Sequence, residues 1–254
     1  MFQFGKAWAI FAEELRREYS RNAFSAIWRF VVPLVPVTAY IFLRAVLLDP
    51  IARPLGMEPA VFVGVGATLW FFATDLILQP TAMVSKHSKF LQLNFVSIST
   101  LVLAAWIRTL FDLALRATFV GIFVYFFSDI GAVHWQALVV VPALTWIFVI
   151  LAILYLILYS FLPDVKIVVE ITFRYLIFFS GVIFELPSSA NFQIINALNP
   201  LGLYVDGGRN AFVYGQFSGD DPMWYWFIGA VAATPLVWFA FVRMQSRLNE
   251  LYFR

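Results

Sequence analysis

Residues 135–162 contain no Asp, Glu, Lys, Arg or His, and are bounded by His134 before and Pro163-Asp164 after. A helix rises about 1.5 Å per residue and a hydrocarbon core about 30 Å thick takes roughly 20 residues to cross, so this stretch reads as a transmembrane helix. A single anchor on a soluble domain is excluded by the rest of the chain. Hydrophobic residues make up 62% of its 254 residues and charged residues 13%, against about a quarter charged in soluble domains, too few to cover a water-facing surface. Intrinsic disorder is excluded on the same ground. Apolar stretches between turn-forming markers such as Asp49-Pro50, Glu58-Pro59 and Gln79-Pro80 predict an all-α integral membrane protein. Residues 1–254 form one transmembrane domain with six spans, at about 27–48, 60–78, 101–127, 135–162, 167–186 and 224–242.

Basic residues mark the cytoplasmic side. Lys6, Arg16, Arg17 and Arg21 precede the first span; Lys86 and Lys89 link the second to the third, near Arg108. Lys166 links the fourth to the fifth, and Arg243, Arg247 and Arg254 follow the sixth. The alternate loops hold Arg53 and Arg209 against Asp49, Glu58, Asp129, Glu185, Asp206, Asp220 and Asp221. Both termini are therefore expected in the cytoplasm. The first 26 residues lack the apolar run and small cleavage residues of a removable signal, so the first span is expected to act as signal anchor.

Two segments are not spans. Phe4, Trp8, Phe11, Leu15 and Tyr19 recur at helical spacing opposite Lys6, Glu13, Arg16, Arg17 and Ser20, which predicts an amphipathic helix over 4–21 in the headgroup layer. It serves either as a passive anchor or also as a docking face, and Glu13 and Arg17 are spaced to pair at i, i+4. The loop 187–222 is long and rich in apolar side chains. Two short helices broken at Asn199-Pro200 would bury them at the outer leaflet and leave Asp206, Arg209, Asp220 and Asp221 wet. Such re-entrant backbone survives only where protein or a water-filled cavity covers it, so this loop is expected to line a passage or its mouth.

Catalytic chemistry is sparse. There is no GxxxxGK[ST], HExxH or GxSxG pattern and no cysteine. His87 and His134 fall in loops on opposite sides of the membrane, so they cannot meet in a metal site within one chain and are expected to be solvated. A formal net charge of +2 does not call for nucleic acid. Charges inside spans cost roughly 2.5–3.5 kcal/mol on insertion scales, which singles out Asp75 and the i, i+4 pair Asp112 and Arg116. Structural pairing is expected for them rather than ion coupling. Arg29 and Arg44, at the ends of the first span, are expected to snorkel to opposite interfaces.

Several stretches carry a family resemblance. Glu14-Leu15-Arg16-Arg17-Glu18-Tyr19 is followed by Ile27-Trp28 and Pro33-Leu34; Phe62-Val63-Gly64-Val65 precedes Leu69-Trp70-Phe71-Phe72. Residues 104–115 open the third span, Leu162-Pro163-Asp164-Val165 makes a tight turn, and Asn199-Pro200-Leu201 is followed by Asp206, Arg209, Asn210 and Ala211. In this order they resemble the membrane subunit of ABC-2 type polysaccharide exporters, the family that moves capsule, O-antigen and teichoic-acid polymers. The chain departs from the family at Phe24-Ser25-Ala26-Ile27, where a Leu-Gly step is usual, and at Arg29, where an apolar residue is common.

The resemblance implies a half-transporter in the inner membrane, a transport subunit and not an enzyme. It would form a homodimer with two copies of a separate P-loop ATPase, together with periplasmic export components. ATP and Mg would belong to the partner, with no cofactor in this chain, and the substrate would be a lipid-linked polysaccharide. Glu13, Glu14, Arg16, Arg17, Lys86, His87 and Lys89 would receive the ATPase movements, and Asn199, Pro200, Asp206 and Arg209 would belong to a periplasmic gate. The first and fifth spans would line the passage, with Trp28, Tyr40, Phe42, Phe173, Tyr175, Phe178, Phe179 and Phe184 offering flat faces to sugars. Alternatives are an ABC-2 permease for a small lipid or drug and a membrane-embedded enzyme acting on lipid-linked sugars. The latter needs a convergent set of acids, bases or metal ligands that the sparse charges do not supply.

Overall fold

The computed structural model describes residues 3–20, 25–43, 58–92, 95–127, 134–185, 194, 196–216 and 222–252. Among the described residues the regular structure is helical, with no strand. Helix α1 covers Phe4–Ser20, α2 Ser25–Phe42, α3 Pro59–Lys86, α4 Ser88–Gln92 and α5 Ile98–Phe127. Helix α6 covers Ala137–Phe161, α7 Val165–Leu176, α8 Pro200–Tyr214 and α9 Met223–Tyr252. Four of these, α3, α5, α6 and α9, are long and apolar enough to cross a membrane, which makes the chain a helical membrane protein.

Helix α3 is the axis of the bundle. The buried share of the spanning stretch falls from 83% in α3 through 50% in α5 and 44% in α6 to 17% in α9, so α9 lies outermost. Every residue from Val61 to Trp70 is buried, as expected of a helix apolar on all sides. Helices α2, α5, α6 and α8 all pack against α3, and α9 packs against α6. Several buried hydroxyls are satisfied within their own helices: Thr68 donates to the Gly64 carbonyl at 2.9 Å, Thr74 to Trp70 at 3.0 Å and Thr109 to Ala105 at 3.1 Å. This back-bonding lets polar residues sit where water cannot reach them.

One ion pair joins the α3–α5 seam and another runs along α5, with partners other than those expected. Arg116 donates to Asp75 across the seam at 2.8 Å and lies over the Phe71 ring, 5.3 Å from its centroid. Asp112 accepts from Arg108 one turn earlier at 3.1 Å. The spacing of Asp112 and Arg116 is right for a pair within one helix, but Asp75 draws the guanidinium of Arg116 toward α3.

The boundaries differ from the sequence reading in several places, the last helix, for one, running to Tyr252. Helix α3 continues through Pro80 to Lys86, beyond the stop expected at Gln79-Pro80, because a Pro inside a packed membrane helix is tolerated. The first expected span is helical over Ser25–Phe42, while 44–48 lie outside the described residues. The expected fifth span, 167–186, is not one helix: α7 ends at Leu176. Helix α1 forms where predicted, but its inner face is Ala7, Phe11 and Glu14, with the Phe11 ring 5.7 Å from Phe111 on α5. Phe4 and Trp8 remain exposed.

Candidate functional site

The end of α7 is held by side chains of α8. After Leu176, Ile177–Phe179 wind into a tighter 3-10 turn, and Gly181 adopts φ 69°, a left-handed conformation that favours glycine. The Phe173 ring meets Trp70 edge-on at 6.4 Å, and Gly181 shares a hydrogen-bonding partner with Phe62. The segment therefore runs antiparallel to α3, from Trp70 toward Phe62, and breaks beside the spanning part of α3.

Where the chain leaves helical geometry its carbonyls lose intrahelical donors, and beside a spanning helix their donors must come from protein. Helix α8 supplies two. Asn199 donates from Nδ2 to the Phe179 carbonyl at 2.8 Å while its Oδ1 accepts the Gly202 N–H at 3.0 Å, and Pro200 occupies the first helical turn. One side chain thus caps the start of α8 and closes the 3-10 turn that follows α7.

Further along α8, the fully buried Arg209 donates to the Gly181 carbonyl at 2.7 Å, to the Phe62 carbonyl at 3.1 Å and to Asp206 at 3.3 Å. Its Cζ lies 3.6 Å from the centroid of the Phe62 ring. The planar guanidinium suits this, since one fork can serve several acceptors and stack on an aromatic face. Room for it comes from glycine: a Cβ at Gly66 would overlap Arg209 Nη2, and one at Gly208 would approach Leu69 Cδ1 at 2.8 Å. The expectation of a wet Arg209 is therefore overturned. Backbone acceptors and a small-residue crossing draw it inside, and Asp206 stays half-exposed beside it. Asp220 and Asp221 lie outside the described residues.

The eight aromatic candidates separate into groups. Tyr175, Phe178, Phe179 and Phe184 form an exposed run from α7 into the turn, at 61%, 50%, 71% and 45% exposure. Phe42 is exposed on α2. Tyr40 and Phe173 instead turn into the bundle, Tyr40 against Phe71 at 6.3 Å and Phe173 against Trp70. The side chain of Trp28 lies outside the described residues.

A second cluster joins α1 to the end of α3. The buried carboxylate of Glu14 accepts from Lys86 Nζ at 2.6 Å and from His87 Nε2 at 2.9 Å. Burial alone would raise its pKa, but the hydrogen bonds from His87 and Lys86 and their charge outweigh this and hold it at about 2. An ionised carboxylate only accepts, so the proton of this contact sits on His87 Nε2. His87 is thus a partly buried partner of α1 and not a solvated loop residue, and His134 is likewise half-buried where its backbone N–H meets the Phe212 carbonyl at 3.1 Å. Glu13 pairs with Arg17 at 2.9 Å as the spacing predicts, and Arg16 and Lys89 are exposed. A recess of about 190 Å³ beside this cluster is lined by Glu14, Gln79, Ala82, Met83, Lys86 and Arg108.

Among the described residues no group of three His, Cys, Asp or Glu side chains could hold a metal ion. The sequence reading missed the Gly181 break and its clamp, for which the Ser180-Gly181 pair, Gly66 and Gly208 were the available signals. Compared with known protein families and with curated proteins, the chain matches no family model and no curated protein.

Proposed function

We propose that the chain is the permease subunit of an ATP-driven ABC-2 type exporter that moves a lipid-linked polysaccharide out of the cytoplasm. In this reading α2 and the broken α7 segment join the four long helices to make six crossings with both termini in the cytoplasm of an inner membrane. A homodimer encloses the passage, and two separate ATPase subunits dock against α1 and the Lys86–Lys89 segment.

The observation that carries this reading is the interrupted α7 segment. Irregular backbone at membrane depth is tolerated where it is buried in protein or lines a watery cavity, and here one side is clamped by Asn199 and Arg209 while the other presents Tyr175, Phe178 and Phe179. An exposed aromatic run can slide along the C–H faces of sugars without fixing them by charge. The order of motifs along the chain supports the same family, and the absence of a P-loop from the sequence fits an energy supply on another subunit.

The test is recovery of the tagged chain from its native membrane in mild detergent. An ATP-hydrolysing subunit is expected to accompany it in equal amount. Recovery of the chain alone, with no nucleotide hydrolysis in the fraction, counts against the permease reading.

A further inference from the structure

Helix α7 carries three stripes. Val165, Val169, Phe173 and Leu176 pack toward the bundle, whereas Ile167, Val168, Ile171 and Tyr175 are exposed. Between these two apolar stripes, Lys166, Glu170 and Arg174 repeat at i, i+4 and i+8. Lys166 and Glu170 face each other at 3.8 Å, and among the described residues the exposed Arg174 has no hydrogen-bond or ion-pair partner. Arg174 adjoins Phe173, whose ring meets Trp70 in the middle stretch of α3, so the uncompensated cation sits far from both ends of a spanning helix. A charge at that depth needs water or an anion, and the apolar stripe beside it needs a hydrophobic cover.

We infer that Arg174 binds the phosphate of an anionic amphiphile whose apolar chain lies along Ile171, Tyr175 and Phe178. A guanidinium grips phosphate through two parallel N–H donors, which a neutral lipid cannot use and a bare ion would use without covering the apolar stripe. If the export reading holds, this amphiphile is the phosphate-bearing carrier end of the polymer. The inference rests on that reading for the biological source of the ligand and not for the contact itself.

The full chain in neutral detergent is incubated with dioleoyl phosphatidic acid or dioleoylglycerol, and retained lipid and oligomeric state are read together by native mass spectrometry. Wild type is expected to retain the phosphate-bearing lipid at least about tenfold over the neutral one, and Arg174→Gln to lose most of that preference. Arg174→Lys keeps the charge but not the fork, so it tests the contact with little risk to folding, and an intermediate loss is expected. Displacement of the retained lipid by an equal concentration of inorganic pyrophosphate overturns the part given to the apolar stripe; persistence against it supports a site that reads phosphate and chain together. Equal retention of both lipids, or unchanged preference in both variants, overturns the inference. So does a loss of retention that follows loss of a dimer, which would assign Arg174 to Glu170 of a second copy. A chain that fails to recover an ATPase but still binds phosphatidic acid through Arg174 would remove the export reading and leave this site standing.

Discussion

Arg209 on α8 donates a 2.7 Å hydrogen bond to the carbonyl of Gly181, at the point where the α7 segment leaves helical geometry. The same guanidinium reaches the Phe62 carbonyl on α3, so one buried side chain joins three segments. Replacing it by Ala strands the Gly181 carbonyl and opens a cavity. Arg209→Ala is expected to cost about 3–5 kcal/mol, measured as a fall in the unfolding midpoint in detergent. Gly66→Ala drives a methyl group into the guanidinium and is expected to lose about 1–3 kcal/mol without removing any polar group. Unchanged midpoints in both variants would contradict the clamp.

Glu14 ties α1 to α3, and its depressed pKa sets the direction of the pH response. A carboxylate held at about 2 against an ordinary value of 4.5 contributes stability that is present above the ordinary value and lost as pH falls toward 2. The protection factor of amides in α1, taken relative to their intrinsic exchange rate at each pH, is therefore expected to be high above about pH 5 and to fall between about 4.5 and 2. Glu14→Gln should show low protection factors in α1 across the whole range. Protection in that variant equal to wild type would contradict the tie.

Much of the bundle is legible in the sequence because its signals are local. The uncharged run that ends before Pro163 becomes α6, and the four-three spacing of Phe4, Trp8 and Phe11 becomes α1. The break in α7 was hidden because Ile177, Phe178 and Phe179 prolong the apolar run, while its cause lies in Gly181 and in donors about twenty to thirty residues away. Arg209 illustrates the same limit. Its acceptors are backbone carbonyls, which any sequence supplies, so nothing near it in the chain distinguishes a buried guanidinium from a wet one. The pairing of Arg116 is settled likewise by Asp75, across the seam, and not by its i, i+4 neighbour.

The Asp75–Arg116 pair is expected to couple α3 to α5. In a double-mutant cycle with Asp75→Leu and Arg116→Leu, each single change should be more damaging than its share in the double, with a coupling of about 1–3 kcal/mol in detergent unfolding. Additive losses would contradict a direct interhelical role.

Tyr175 and Phe179 are exposed, so their replacement should spare the fold. The Tyr175→Ala, Phe179→Ala double variant is expected to insert and to keep its ATPase partner, with stability within about 0.5 kcal/mol of wild type. Export of polymer should fall. Unchanged secretion would remove both from the passage.

The most direct test of the transport reading is the fate of the polymer in source cells from which the gene is deleted. Surface polysaccharide is expected to disappear while lipid-linked polymer accumulates in the cytoplasm, with rescue by the wild-type gene and not by Arg209→Ala. Surface polysaccharide at wild-type level in the deleted strain, with no internal accumulation, would contradict the account.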